Sequence, residues 1–164
     1  MKTKFITYGF EYDPEKWRNI KNLRFFGKPN GGLWGSPIDS SLGWKDWCDS
    51  ENFRKDIGFN SGFTWEISDP SRILVLDSMK TYQSLPGLYK IKYLDEPLGG
   101  ESLNFERISQ DYDAILLTEN GLDELRDDFS LNFYSWDCES IIVLNRNAII
   151  NVESITKTLN KIKL

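Results

Sequence analysis

Two carboxylates two residues apart, Asp137 and Glu139, stand at the head of a β-branched apolar run in Ser135-Trp136-Asp137-Cys138-Glu139-Ser140-Ile141-Ile142-Val143-Leu144. On a strand, residues i and i+2 share a face. The spacing therefore predicts that both acids project together from the rim of a sheet, while Cys138 between them points to the opposite face and away from any site. A carboxylate pair held in this way can present an acid or a base to a substrate. The same pattern also suits a plain solvated start of a strand. As glycosidase carboxylates the pair is poorly spaced, because neighbours on one strand face cannot flank a glycosidic bond from opposite sides.

The rest of the composition narrows the chemistry. The chain has no histidine, so serine–histidine and cysteine–histidine nucleophile systems lack their base. With two cysteines and no histidine a zinc site is not expected, and no metal is assigned. Proton chemistry falls to carboxylates, lysines, tyrosines or groups on the substrate. The formal charge of −5 argues against a surface shaped as a whole for phosphate backbones. Lys2, Lys4, Lys16, Arg18, Lys21, Arg24 and Lys28 give the first thirty residues a positive excess, which reads most simply as a solvated basic face. No GxGxxG or GxxxxGK[ST] phosphate loop is present.

A chain of 164 residues, 40% apolar, suits one globular domain with a sizeable core. No apolar run reaches the roughly 20 residues of a membrane span. Cys48 and Cys138 make no disulfide framework, and the amino terminus lacks the pattern of a secretory signal, so a cytoplasmic protein with reduced thiols is expected.

The elements that must position the acids are short. Residues 5–10 read as an opening strand, and Asp13-Pro14 as the N-cap and first position of a helix running to about Asn22. Residues 28–32 form a turn before an extended Leu33-Trp34-Gly35-Ser36-Pro37. A helix is predicted from Ser40 to Cys48, followed by a loop or helix over 51–55. Strands follow at 63–67, 72–76, 114–117, 140–144 and 148–152, with helical segments at 78–85, 105–110 and 119–126 and an amphipathic or frayed tail over 153–164. Strands and short helices mix without strict alternation, which favours an α+β fold.

Two aromatic segments supply candidate binding surfaces. Trp34 sits beside a glycine and Ser36, offering a stacking plane, an open backbone and a hydroxyl to a flat heterocycle; in isolation Trp34 also suits a core position. Trp44 and Trp47, at i and i+3, share a helix face, which suits core packing for at least one of them.

Taken in order, Tyr8-Gly9, Gly31 to Ser36, Asp111-Tyr112-Asp113-Ala114-Ile115 and Glu139 to Asn145 with Ile149 resemble the ADP-ribosyltransferase superfamily. The resemblance covers most of the chain through short motifs whose order carries the weight. It implies a single split β-sheet core with short peripheral helices over 1–164, and NAD as substrate. By this resemblance Glu139 is the catalytic glutamate and Asp137 the acceptor-engaging position two residues before it. Ser36 is the middle-motif hydroxyl, Gly9 offers backbone hydrogen bonds to the nicotinamide carboxamide, and Tyr8, Trp34 or Trp44 border the nucleotide. The chain departs from the family pattern at three positions: Tyr8 stands where histidine or arginine is usual, Asp137 where glutamine or glutamate is usual, and Ala114 where glycine is common.

Two functions remain open at this level. One is a mono-ADP-ribosyltransferase acting on a macromolecular acceptor, protein favoured over nucleic acid, in the manner of a toxin or phage effector. The other is a non-catalytic acidic protein that binds and blocks a protein partner, which the altered first motif supports.

Overall fold

The computed structural model describes residues 4–24, 27–53, 59–93 and 100–156. The fold is α+β, as expected, and is organised around one mixed seven-stranded sheet. In chain order the strands are β1 (Lys4–Tyr8), β2 (Leu33–Pro37), β3 (Gly62–Ile67), β4 (Ile73–Leu76), β5 (Lys90–Ile91), β6 (Ser102–Leu103), β7 (Ala114–Leu117), β8 (Ser140–Val143) and β9 (Ile149–Ser154). The helices are α1 (Trp44–Ser50), α2 (Met79–Ser84), α3 (Phe105–Asp111) and α4 (Glu119–Leu125). The sheet runs β4-β7-β8-β2-β1-β3-β9, with β5 and β6 forming a separate ribbon. Among the described residues β4 and β7 pair in parallel, and the other neighbouring strands of the large sheet are antiparallel.

β2 divides this sheet into two leaves. Its first residues, Leu33, Trp34 and Gly35, pair with β8, whereas Ser36 and Pro37 pair with β1. The strand thus changes partner half-way along its length. Phe5, Phe63, Trp65 and Ile67 from β1 and β3 then cluster with Ala114, Leu116, Ile141 and Val143 from β7 and β8, so the leaves pack on one another. The opposite face of the β4-β7-β8 leaf contributes Leu74, Leu76, Ile115, Leu117 and Ile142 to a second cluster. Tyr82 of α2, Phe105 and Ile108 of α3, and Leu122 and Leu125 of α4 cover it. Each fully buried side chain of this size contributes about 1.5–3 kcal/mol by leaving water.

The helices begin where side chains satisfy their first N–H groups. Ser78, Asn104 and Thr118 accept from the backbone of Thr81, Arg107 and Gly121, the usual use of such residues at an N-cap. The predicted helix from Asp13 is not realised. Asp13 does cap and Pro14 does begin a helical turn, but it is a single 3-10 turn over Pro14–Lys16 with no buried residue. A helix this short needs an apolar face to hold it. The backbone that follows is claimed instead by Asn30, which exchanges both hydrogen bonds with Lys21, and by Gly32, whose N–H donates to the Arg18 carbonyl.

The Ser40–Cys48 helix also starts later than predicted, at Trp44, because Ser36 Oγ accepts from Trp44 N at 2.9 Å and Asp46 caps Gly43 N at 3.1 Å. Ser40 accepts from Leu42 N in the preceding turn. Of the expected 51–55 segment, 54 and 55 lie outside the described residues, as does the tail from 157 on; residues 153 and 154 belong to β9. In the β3–β9 pair the register shifts between Thr64 and Glu66, and Asn151 of β9 sits at φ +51°.

Candidate functional site

Where β1 and β8 part from β2, a cleft of about 330 Å³ opens, at the small end of the range that holds organic ligands. Its wall is made by Ile6, Thr7 and Tyr8 of β1, residues 32–36 on and before β2, Trp44 at the start of α1, and Asp137, Cys138 and Ser140 at the approach to β8. Lys28 and Phe10 complete it.

Thr7 explains how the strands can separate without leaving buried backbone groups unpaired. Its hydroxyl donates to the Trp34 carbonyl at 2.7 Å and accepts from the Trp65 indole N–H at 3.0 Å. One side chain thereby partners both the Trp34 carbonyl and the Trp65 indole N–H at the point where β1 leaves β2. Gly35 keeps this corner tight, since a Cβ there would lie 2.8 Å from the Trp65 ring. At the start of β2, Gly32 has φ +72°, and a Cβ would lie 2.6 Å from the Val143 carbonyl oxygen. A residue with a side chain is strained in that conformation.

Five of the seven residues singled out from sequence meet here: Tyr8, Trp34, Ser36, Trp44 and Asp137 all line the cleft. They come from β1, β2, α1 and the approach to β8. Trp34 packs edge-on against Trp136 at 4.9 Å between ring centroids. Trp44 stacks on Trp47 at 5.3 Å, and both indoles are half-buried. The Tyr8 ring meets Phe59 edge-on. Burial raises the Tyr8 phenol, the Lys45 charge opposes this, and Asp46 and Asp49 add to the rise. The phenol therefore remains a hydrogen-bond donor at neutral pH.

Ser36 is buried, and its hydroxyl is already engaged with the amide of Trp44. It lines the cleft and positions the start of α1 against it.

Gly9 and Glu139 are placed differently. Gly9, at φ +98°, donates its N–H to Ser61 O at 3.1 Å and does not line the cleft. Glu139 is 3% exposed, its N–H donates to Leu42 O at 2.9 Å, and it too is absent from the cleft wall.

The expectation that Asp137 and Glu139 share a strand face, with Cys138 turned away, is corrected. The strand begins only at Ser140, so the two-residue alternation does not apply to the acids. Ser140 Oγ turns back to donate to the Cys138 carbonyl at 2.8 Å and lies 3.3 Å from Cys138 Sγ. Cys138 and Ser140 are the i, i+2 pair that lines the cleft. Burial pushes the Cys138 thiol up, against opposing hydrogen bonds from Ser140 and Ser36 and the nearby Lys28 charge.

Asp137 lies between two cations, 3.7 Å from Lys28 Nζ and 3.6 Å from Arg126 Nη2. Lys28 and Thr7 were not selected from sequence. Nothing in the spacing around Lys28 separates it from the surrounding basic residues. Thr7 did carry a signal, because strand alternation puts it on the buried face with Phe5, where a hydroxyl needs a partner.

Among the described residues, no group of three or more histidine, cysteine, aspartate or glutamate side chains is arranged to hold a metal ion, and no helix is long and apolar enough to cross a membrane. Comparison with protein-family models, curated proteins and solved structures finds no match.

Proposed function

We propose that this protein is a mono-ADP-ribosyltransferase that takes NAD into the β1–β2–β8 cleft and transfers ADP-ribose to a nucleophile on a protein acceptor. The observation that carries the reading is the convergence of Tyr8, Trp34, Ser36, Trp44 and Asp137 on one cleft, since these residues were selected through motifs scattered over the chain.

The wall chemistry suits the ligand. Aromatic faces accept flat heterocycles, and the protonated Tyr8 phenol and the Lys28 ammonium offer donors to ribose and phosphate oxygens. In the reaction the C1′–N bond of the nicotinamide ribose breaks, and its electron pair leaves with nicotinamide. The acceptor nucleophile then bonds to C1′ and gives up a proton. In this reading Glu139, next in sequence to the cleft-lining Cys138 and Ser140 but itself off the wall, has to turn its carboxylate into the cleft to stabilise the oxocarbenium-like centre.

One observation favours a second reading. The burial of Glu139 at 3% exposure, off the cleft wall, suits a protein that keeps the fold without the chemistry and blocks a protein partner.

The test is nicotinamide release from NAD, with and without cell lysate, by wild type and Glu139→Gln matched for thermal stability. The transferase reading expects release and labelling of a lysate protein, both falling about 10²–10³-fold in the variant, the usual size for loss of a preorganised electrostatic group. Absence of NAD binding and release in wild type would overturn it and move the search to a protein partner.

A further inference from the structure

Lys28 and Asp137 line the cleft, and Arg126, off its wall, completes an ion cluster with them. Lys28 and Arg126 both face the single carboxylate of Asp137, two cations to one anion, in a chain of formal charge −5. Both contacts, at 3.7 and 3.6 Å, are longer than the roughly 2.7–3.2 Å of a hydrogen bond, so these two cations act on the carboxylate through charge. All three side chains are between 23% and 33% exposed, enough desolvation to strengthen the field while leaving the cluster open to solvent.

The cations have supports that do not depend on Asp137. Lys28 Nζ lies 5.4 Å from the centre of the Trp34 ring, and the Arg126 guanidinium 5.6 Å from that of Tyr134, both within cation–π range. The aromatic faces would still hold both cations without the carboxylate, so the anion is the replaceable member.

We infer that Lys28 and Arg126 form a phosphate-binding site which Asp137 occupies in the free protein as an internal competitor. A ligand pyrophosphate displaces the carboxylate and turns it loose at the cleft wall, where the acceptor must approach. The choice of pyrophosphate rests on the NAD reading; the site and its internal competitor do not. The inference reverses the ordinary expectation for a cleft-lining acid, because removing Asp137 tightens binding.

The experiment measures inorganic pyrophosphate binding by calorimetry at fixed low salt for wild type, Asp137→Asn, Asp137→Ser, Lys28→Gln and Arg126→Gln, each checked for a native thermal transition. Loss of the competing carboxylate should tighten pyrophosphate binding on the order of tenfold in both Asp137 variants. Each cation substitution should weaken it about two- to fivefold, the scale of one partly exposed ion pair. Excess NAD should displace the pyrophosphate. Unchanged or weaker binding in the Asp137 variants, or binding insensitive to Lys28 and Arg126, overturns the inference, as does absence of pyrophosphate binding in every protein. Pyrophosphate binding with the expected variant pattern, but with no NAD competition or nicotinamide release, keeps the anion site and removes the NAD reading instead.

Discussion

In the leaf formed by β4, β7 and β8, the residues of β7 and β8 are buried throughout, whereas in the leaf formed by β1, β3 and β9 the burial of β1 alternates and β9 is exposed along most of its length. The first leaf is covered on one face by α2, α3 and α4 and on the other by its sister leaf. In the second, β3 is buried at every residue but Glu66, and it is the flanking strands β1 and β9 that leave one side less covered. Burial on both faces requires near-continuous apolar sequence, while a one-sided strand needs only alternation. The difference teaches where a site can form. The helix-backed cluster is closed, and the cleft borders the seam, where one leaf must part from the other.

The comparison is most severely tested by deleting a large side chain from each cluster. Trp65→Ala, in the cluster between the leaves, should cost about 3–5 kcal/mol, and Leu122→Ala, in the cluster beneath the helices, about 2–5 kcal/mol. Chemical denaturation measures both. The sharper outcome lies in the cleft: under native conditions the rate of thiol labelling at Cys138, resolved by mass, should rise in Trp65→Ala and stay near wild type in Leu122→Ala. Equal rises would mean that the two clusters are not separable.

Thr7→Val acts at the seam alone. It leaves the Trp34 carbonyl and the Trp65 indole N–H without the hydroxyl that joins them, at a cost of about 1–3 kcal/mol. Crystal or solution structures of the variant should show β1 and β2 further apart at Trp34. An unchanged separation would remove Thr7 as the brace.

The smallest effect is expected at the rim of the covered leaf, where Asp113 accepts from Arg72 N and Asn145 Nδ2, both at 2.9 Å. Burial pushes this carboxyl up, but the hydrogen bonds from Arg72 and Asn145 and the Arg72 charge outweigh it and hold the group below its ordinary 3.8. A depressed folded-state value means stabilisation that is complete above about pH 4 and lost as pH falls through the folded value. Asp113→Asn should therefore lose about 1 kcal/mol at neutral pH, with the gap to wild type closing below pH 3.8. A gap that stays constant in acid would assign the loss to geometry instead of charge.

The strands were legible wherever burial follows sequence without help from distant partners. The apolar runs of β4, β7 and β8 announced themselves, and so did the alternation in β3. The start of α1 was not, because the side chain that caps Trp44 is Ser36, on a strand eight residues back. The turn at Pro14 carried the right local signals but had nothing apolar to bury. At the site, residue types were legible and directions were not. A periodicity argument for Asp137 and Glu139 requires a strand, and β8 begins at Ser140, after both of them. The role of Lys28 depends on Trp34, Asp137 and Arg126 meeting in space, which no window of sequence contains.

The displaced register between Thr64 and Glu66, together with the left-handed Asn151, has a consequence for the protein in concentrated solution. β9 ends the sheet order and is largely exposed, and a flat, regular strand at such an edge would be a template for another chain to pair with. A bulged and locally twisted edge interrupts the even row of donors and acceptors that such pairing requires. The irregularity thus works against fibrillar self-association, and straightening it would be expected to lower the concentration at which the protein aggregates.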